Sequence, residues 1–212
     1  TRQTRNLCKP EGYVEPKIDP TKSMRNQAVN HQQGDLNVGY DQNPQFSPDG
    51  QYVAWQSMAR NGYESDRNRL CVYRLSDGTK TYVTERFDSN VDGFCWSNDS
   101  KTLFFLGVWN AVGMVYQTNL KGEVMQLTDG WYDYGSLQAL ANGKQLLVSR
   151  HSYLAPDDLY LLTVNKKEKR SAVAQITGEN KHILDQLAKP SVQQRWVKTT
   201  DGRQELEWII LP

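Results

Sequence analysis

The sequence contains little that would support chemistry or a covalent scaffold. Its three cysteines, Cys8, Cys71 and Cys95, form an odd set with no Cys-x-x-Cys pair, so neither a disulfide framework nor a structural zinc site is expected. Cys71 and Cys95 lie in strand-like runs, where a free cysteine usually packs as a small apolar side chain. A bridge between these two is the alternative.

Charge of one sign and long apolar runs are also scarce. The 25 basic and 24 acidic residues leave a net charge of +1, which favours neither nucleic acid nor an anionic membrane as a partner. The densest apolar run, 103–108, is far shorter than the roughly 20 residues that span a bilayer. Residues 1–5 include neither an apolar signal region nor an initiator Met, so we expect the chain to begin inside a longer protein or to follow processing. We expect no metal and no cofactor.

What the sequence does contain is a repeat. A strand end, a turn and an apolar run recur three times, with 50 residues between Gly50 and Ser100 and 43 between Ser100 and Gly143. Short strands repeating at this period are typical of β-propeller blades. The three copies are 46–55, 96–105 and 140–148.

We therefore predict an all-β fold, a partial β-propeller of three full four-stranded blades plus part of a fourth. The propeller occupies 1–178 in this prediction. Its parts are a strand of an incomplete blade at 1–9, a long loop at 10–42, and blades at 43–84, 93–128 and 136–177. Residues 179–212 break the repeat and predict a linker followed by a hairpin that turns at Asp201-Gly202.

Three features occurring together resemble a known family. They are the Ser47-Pro48-Asp49-Gly50 blade motif, the stretch from Met58 to Arg67, and the Thr200-Asp201-Gly202 hairpin. Together they are similar to the propeller of bacterial dipeptidyl peptidases in the prolyl oligopeptidase family of serine peptidases. The resemblance covers roughly residues 40–212. It implies that the hairpin begins an α/β-hydrolase domain of the same polypeptide.

The family's catalytic machinery does not accompany the resemblance. The nucleophile of such enzymes lies in a Gly-x-Ser-x-Gly elbow, and no such string occurs here. The histidines, His31, His151 and His182, have no accompanying elbow, and a triad also needs an oxyanion hole and an oriented base. We therefore assign no catalytic residue to this chain and expect it to be inactive alone.

Loops on one face of the propeller are the candidate substrate contacts. We expect longer connections on the face that joins second to third strands and blade to blade, at 60–67, 86–90, 107–113, 131–134 and 151–157. A carboxylate there would hold a peptide's free amino group by charge-assisted hydrogen bonds, as a dipeptidyl peptidase requires. Glu64 is the first candidate and Asp66 the second, with Arg60 beside them. Mutual pairing that braces the loop is the alternative.

Aromatic residues on the same face are the second candidate group. Tyr132, Asp133 and Tyr134 follow Trp131 and can form the wall of a side-chain pocket, with ordinary packing between blades as the alternative. His151 is more typical of a solvated or locally bonded histidine.

Two functions remain open at this stage. The first is a non-catalytic propeller that gates and positions short peptides for a serine peptidase of the periplasm or cell envelope. The second is a Tol-like propeller that binds a protein partner without chemistry, in which the final hairpin should pack as a blade strand. We also expect exposed edges of an unclosed propeller to favour self-association.

Overall fold

Among the residues that the structure describes, three four-stranded antiparallel sheets and a separate two-stranded hairpin make up nearly all the regular structure. The structure is a computed structural model that describes residues 4, 6–8, 21, 39–59, 66–165 and 171–212. The first blade is β1 Asp41–Phe46, β2 Tyr52–Ser57, β3 Arg69–Arg74 and β4 Lys80–Tyr82. The second is β5 Gly93–Trp96, β6 Thr102–Trp109, β7 Val112–Asn119 and β8 Val124–Gln126. The third is β9 Asp133–Ala139, β10 Gln145–Ser152, β11 Ala155–Thr163 and β12 Ala172–Gln175. Helix α1 Lys181–Leu184 and the hairpin strands β13 Ser191–Lys198 and β14 Gln204–Leu211 follow. The predicted all-β, partial-propeller fold is confirmed.

The repeat in the sequence corresponds to one turn built three times. Gly50, Ser100 and Gly143 all have positive φ, at 67°, 59° and 67°. Each donates its backbone N–H to the carbonyl three residues earlier, at 2.9, 3.0 and 3.0 Å. Glycine takes this left-handed conformation without steric cost, and Ser100 adopts it although it carries a side chain. The first two strands of every blade therefore leave their turn in the same geometry.

Apolar side chains between neighbouring sheets hold the blades together. Strand β6 shows the alternation: Leu103 and Phe105 face the first blade, whereas Phe104 faces the third. Leu103 and Phe105 are fully buried and Phe104 is 7% exposed. Successive side chains on a strand point to opposite faces, so the middle blade has one apolar face for each neighbour.

A third apolar cluster covers the outer face of the first blade. Its buried members are Val53, Trp55, Cys71 and Tyr73, and Leu7 and Cys8 from the start of the chain pack against them. The predicted strand at 1–9 and loop at 10–42 lie mostly outside the described residues. The part that is described lies on the face opposite the second blade.

Two connections on the face predicted to have long loops are shorter than expected. In the second blade, β6 and β7 are joined by Asn110 and Ala111 alone, with φ of 51° and 58°, the values of a two-residue hairpin turn. In the third blade, Tyr153 and Leu154 alone join β10 to β11. Strand β9 begins at Asp133. The expectation of long connections at 107–113 and 151–157 was therefore wrong, because strand pairing extends almost to the turns, whereas the links between blades at 83–92 and 127–132 are longer, as expected.

The final hairpin forms a sheet of its own. Strands β13 and β14 pair from Ser191↔Leu211 to Lys198↔Gln204, and no blade strand joins them among the residues described. Gly202, with φ 84°, forms the turn. The hairpin stands outside the propeller sheets.

None of the three cysteines forms a disulfide in the described part of the chain, and no bridge joins Cys71 to Cys95. Burial raises the pKa of the Cys95 thiol to about 11. Within the described ranges no helix has the length and apolar character to cross a bilayer, and no group of three His, Cys, Asp or Glu side chains is arranged to hold a metal ion.

Candidate functional site

The acidic-loop candidates are only partly described. Arg60 and Glu64 lie outside the described residues. Asp66 is 8% exposed and precedes Arg67, whose guanidinium donates to the carbonyl oxygens of Phe87 at 2.6 Å and Glu85 at 2.9 Å. The C-terminal end of the loop is therefore tied to the link between the first and second blades. The amine-anchoring role of these residues remains a prediction.

Asp133 lies at the start of β9 and joins two blades. Its carboxylate accepts a 2.6 Å hydrogen bond from the backbone N–H of Gly113 in the second blade. Its other oxygen is 3.7 Å from Nε2 of His151, and Nδ1 of His151 is 3.2 Å from Asp157. The imidazole thus lies between two carboxylates, which confirms that His151 is locally bonded.

Gly113 allows a close approach of the backbone where Asp133 crosses to the second blade. A Cβ on Gly113 would lie 3.3 Å from the carbonyl oxygen of Tyr134 and 3.4 Å from the Asp133 carboxylate. Such contacts are too close to accept without a shift of the neighbouring strand. The absence of a side chain on Gly113 therefore leaves room for the two backbones and for the hydrogen bond to Asp133 at this point.

Arg150 is a member of this cluster that sequence analysis did not identify. Its guanidinium carbon is 4.0 Å from the Tyr132 ring centroid and 3.8 Å from that of Tyr160. Burial opposes its charge, but hydrogen bonds to the Tyr134 and Tyr160 hydroxyls outweigh it and raise the pKa of Arg150. Burial also raises the pKa of Tyr134, which is 6% exposed. Tyr134 is therefore a packing residue rather than part of an open wall.

Trp131 and Tyr132 do line an open cleft. Its volume is about 290 Å³, and it lies between the link from the second to the third blade, the β10–β11 turn and the final hairpin. The lining residues are Gly130, Trp131, Tyr132, Ser152, Tyr153, Leu154 and Val192. Two of the predicted aromatic residues and the hairpin thus meet at one place.

The hairpin is held at this cleft by Trp208. The Trp208 ring centroid is 5.1 Å from that of Trp131 and 5.3 Å from that of Tyr153. Sequence analysis missed both Tyr153 and Trp208. Trp208 lies on a strand whose residues are otherwise mostly exposed, and a large aromatic residue in such a strand is the one signal that could have indicated a docking contact.

Comparison with known proteins identifies the relatives of this chain. No protein-family model matches it. Over 176 residues, 82% of its length, it is 44% identical to dipeptidyl-peptidase 5 of Porphyromonas gingivalis, of which it covers 25%. The chain is a homologue of part of a dipeptidyl peptidase. The family resemblance stated from the sequence motifs is thereby confirmed.

Solved structures confirm the fold of the dipeptidyl-peptidase homologue. The acylaminoacyl peptidase of Pyrococcus horikoshii matches 77% of the chain with a TM-score of 0.61 and 20% identity, over 24% of the peptidase. TolB of Acinetobacter baumannii matches 66% of the chain with a TM-score of 0.50 and 19% identity, over 33% of that protein. A peptidase and a Tol protein both share the architecture, so the fold alone does not distinguish the two functions. The chain spans about a quarter of the dipeptidyl peptidase that it matches.

Proposed function

We propose that this chain is the propeller portion of a serine dipeptidyl peptidase, and that it admits short peptides and positions them for hydrolysis elsewhere in the same polypeptide. The observation that carries the proposal is the 44% identity with dipeptidyl-peptidase 5 over most of the chain. The reaction would proceed through an acyl-enzyme formed on a serine outside residues 1–212. The chain alone would then have no peptidase activity.

The arrangement of the hairpin supports the peptidase over the Tol-like alternative. In a pure binding propeller the last two strands should extend a blade, whereas β13 and β14 pair only with each other in the described sheets. We propose that residues 1–178 form the propeller part and that 179–212 are the linker and the first hairpin of the hydrolase domain. Trp208 then contacts the propeller where the two domains meet.

The cleft beside the hairpin is the proposed contact for a substrate side chain. Trp131, Tyr132 and Tyr153 line it, and aromatic walls with few polar groups are common in small-ligand sites. Glu64, with Asp66 and Arg60 beside it, would anchor the peptide's amino group by charge-assisted hydrogen bonds. Asp133 supports this region by fixing β9 to the second blade through Gly113.

The surroundings of the parent protein are proposed from the family resemblance. We propose a periplasmic or cell-envelope location, a peptide substrate and the hydrolase domain as the propeller's partner. The outer edges of the first and third blades would allow self-association of the isolated chain.

The decisive experiment measures hydrolysis by the full parent protein and by the 212-residue chain. A dipeptidyl chromogenic substrate with a free amino group is compared with its N-acetylated form. We expect turnover of the free form only, and only by the parent. Peptide hydrolysis that does not distinguish the two forms would contradict the amine anchor, and absence of any hydrolysis by the parent would favour the Tol-like alternative.

Variants then separate the anchor from general effects. In the parent, Glu64→Gln should raise KM at least tenfold, since loss of one charge-assisted contact is worth roughly 1.5–3 kcal/mol. Asp66→Asn should have a smaller effect on KM. Glu123→Gln, which alters a glutamate in the exposed β7–β8 turn, is the matched control and should leave KM unchanged.

A further inference from the structure

A second cleft, unrelated to the hairpin, lies between the second and third blades. Its volume is about 560 Å³, which is within the range of small-molecule sites, roughly 300–1,000 Å³. It lies on the face with the three repeated turns, opposite the hairpin. Its apolar walls include Phe104, Ala139, Leu140, Leu146 and Val164.

The repeat explains why this space is open. The three turns align Tyr52 with Thr102 and Phe46 with Trp96 and Ala139, because each turn has the same hydrogen-bond spacing. Between the first and second blades the Tyr52 and Trp96 rings meet, with centroids 6.2 Å apart. Between the second and third blades the equivalent residues are Thr102 and Ala139, and both line the cleft.

A third difference adds a polar side chain to the wall of the same space. Phe104 of the second blade is equivalent to Ala54 of the first. Ala54 pairs across the strands with Val72, whereas Phe104 pairs with Gln117. Val72 is 4% exposed, whereas the cleft exposes Gln117. The cavity beside Tyr52 and Val72 is only about 20 Å³. Tyr52 and Trp96 thus fill one interface, and the smaller Thr102 and Ala139 at the equivalent positions leave the other open.

The side chains that fill the equivalent space between the first and second blades indicate which kind of ligand the cleft would bind. The space between two blades accepts flat rings, because Tyr52 and Trp96 occupy it one interface earlier. Phe104 provides a ring for stacking, while Asn98, Gln117 and Lys144 give the lining hydrogen-bonding side chains. We propose that this cleft binds an aromatic ring that carries a polar group, presented by a free small molecule or by a peptide side chain.

The site is tested on the 212-residue chain with two aromatic probes and one apolar probe. N-acetyl-L-tryptophanamide represents a free molecule, Gly-Gly-Trp-Gly-Gly represents a peptide, and N-acetyl-L-leucinamide lacks the ring. Saturation-transfer NMR and thermal unfolding report binding. We expect at least one tryptophan probe to bind in the micromolar-to-millimolar range and the leucine probe to bind at least about tenfold more weakly, a difference near 1.4 kcal/mol. Which tryptophan probe binds more tightly identifies the source of the ring.

Filling the cleft should abolish binding. Ala139→Trp restores the large residue found at the first interface, and we expect at least tenfold weaker binding of the tryptophan probe. Ala141→Trp makes the same change two residues away at an exposed turn position and should leave binding unchanged. If circular dichroism shows that Ala139→Trp is misfolded, Thr102→Tyr fills the cleft from the second blade and gives the same test.

Three results would overturn the proposal. One is saturable binding of neither tryptophan probe at millimolar concentration. Another is equal affinity for the leucine probe, which would show that the cleft does not select a ring. The last is unchanged binding in a folded cleft-filling variant, which would place the probe elsewhere on the molecule.

Discussion

The indole rings of Trp131 and Trp208 meet edge to face, with centroids 5.1 Å apart and an interplanar angle of 83°. Trp131 belongs to the link between the second and third blades, and Trp208 to the last strand of the chain. An isolated two-stranded hairpin is marginally stable in water. This contact, with that of Tyr153, therefore stabilises β13 and β14 against the blades.

Removing the Trp208 ring should release the hairpin. In Trp208→Ala we expect amides of β13 and β14 to exchange hydrogen roughly tenfold faster or more, since an aromatic pair contributes about 0.5–1.5 kcal/mol beyond its buried area. Amides of β10 and β11 should be unaffected. Trp196→Ala removes an indole that is 51% exposed and serves as the control. Equal acceleration in both variants would show that the ring contact has no special role.

Replacing Arg150 by lysine should destabilise the third blade. Lysine keeps the charge but loses the flat guanidinium that lies against the Tyr132 and Tyr160 rings. We expect a loss of about 1–2 kcal/mol in the free energy of unfolding, measured by urea titration. Arg203→Lys, at a side chain that is 86% exposed, should change nothing measurable. An unchanged midpoint for Arg150→Lys would mean that charge alone stabilises this cluster.

Ser100 allows backbone strain and hydrogen bonding to be separated. Its φ is 59°, and its hydroxyl accepts a 3.1 Å hydrogen bond from the backbone N–H of Asp49 across the interface between the first and second blades. Ser100→Ala loses this bond and keeps the strain, so we expect about 1–2 kcal/mol of destabilisation. Ser100→Gly loses the bond but relieves a strain of roughly 1–2 kcal/mol, so its unfolding midpoint should stay close to that of the wild type. Equal losses in the two variants would contradict the strain argument.

Cys95 should make stability depend on alkaline pH. The folded thiol has a pKa near 11 against an ordinary value of 9.0, so between these values the unfolded state releases its proton and the folded state retains it. The free energy of unfolding should therefore fall as pH rises from 9 to 11, by at most about 2–3 kcal/mol from this group. Cys95→Ala should show a shallower fall under the same conditions. Parallel curves for the two proteins would exclude this contribution.

Local patterns in the sequence predicted most of the fold. The turns at Gly50, Ser100 and Gly143, each followed by an apolar run, were enough for three blades, and Asp201-Gly202 was enough for the hairpin. Local patterns did not predict the two-residue turn at Asn110 and Ala111, where a long loop was expected. Alanine in a left-handed conformation is unfavourable on local grounds, and it is stabilised here by the long pairing of β6 with β7.

The parts that escaped prediction depend on contacts distant in the chain. Trp208 meets Trp131, and Arg150 meets Tyr132 and Tyr160, only after the sheets have stacked. No periodic pattern in the sequence indicates contacts between residues so far apart in the chain. Tyr132 and Asp133 were correctly placed on the face with the hairpin because strand direction alone decides it, whereas the burial of Tyr134 depends on how the second blade covers it.

The shared geometry of the three turns has an evolutionary consequence. Main-chain hydrogen bonds give the three turns the same geometry, and the equivalent positions Phe46, Trp96 and Ala139 carry three different side chains on that shared backbone. Each interface between neighbouring blades can gain or lose cavity volume independently of the other interfaces. A repeated blade can therefore acquire a new binding specificity at one interface while the architecture of the sheets stays constant.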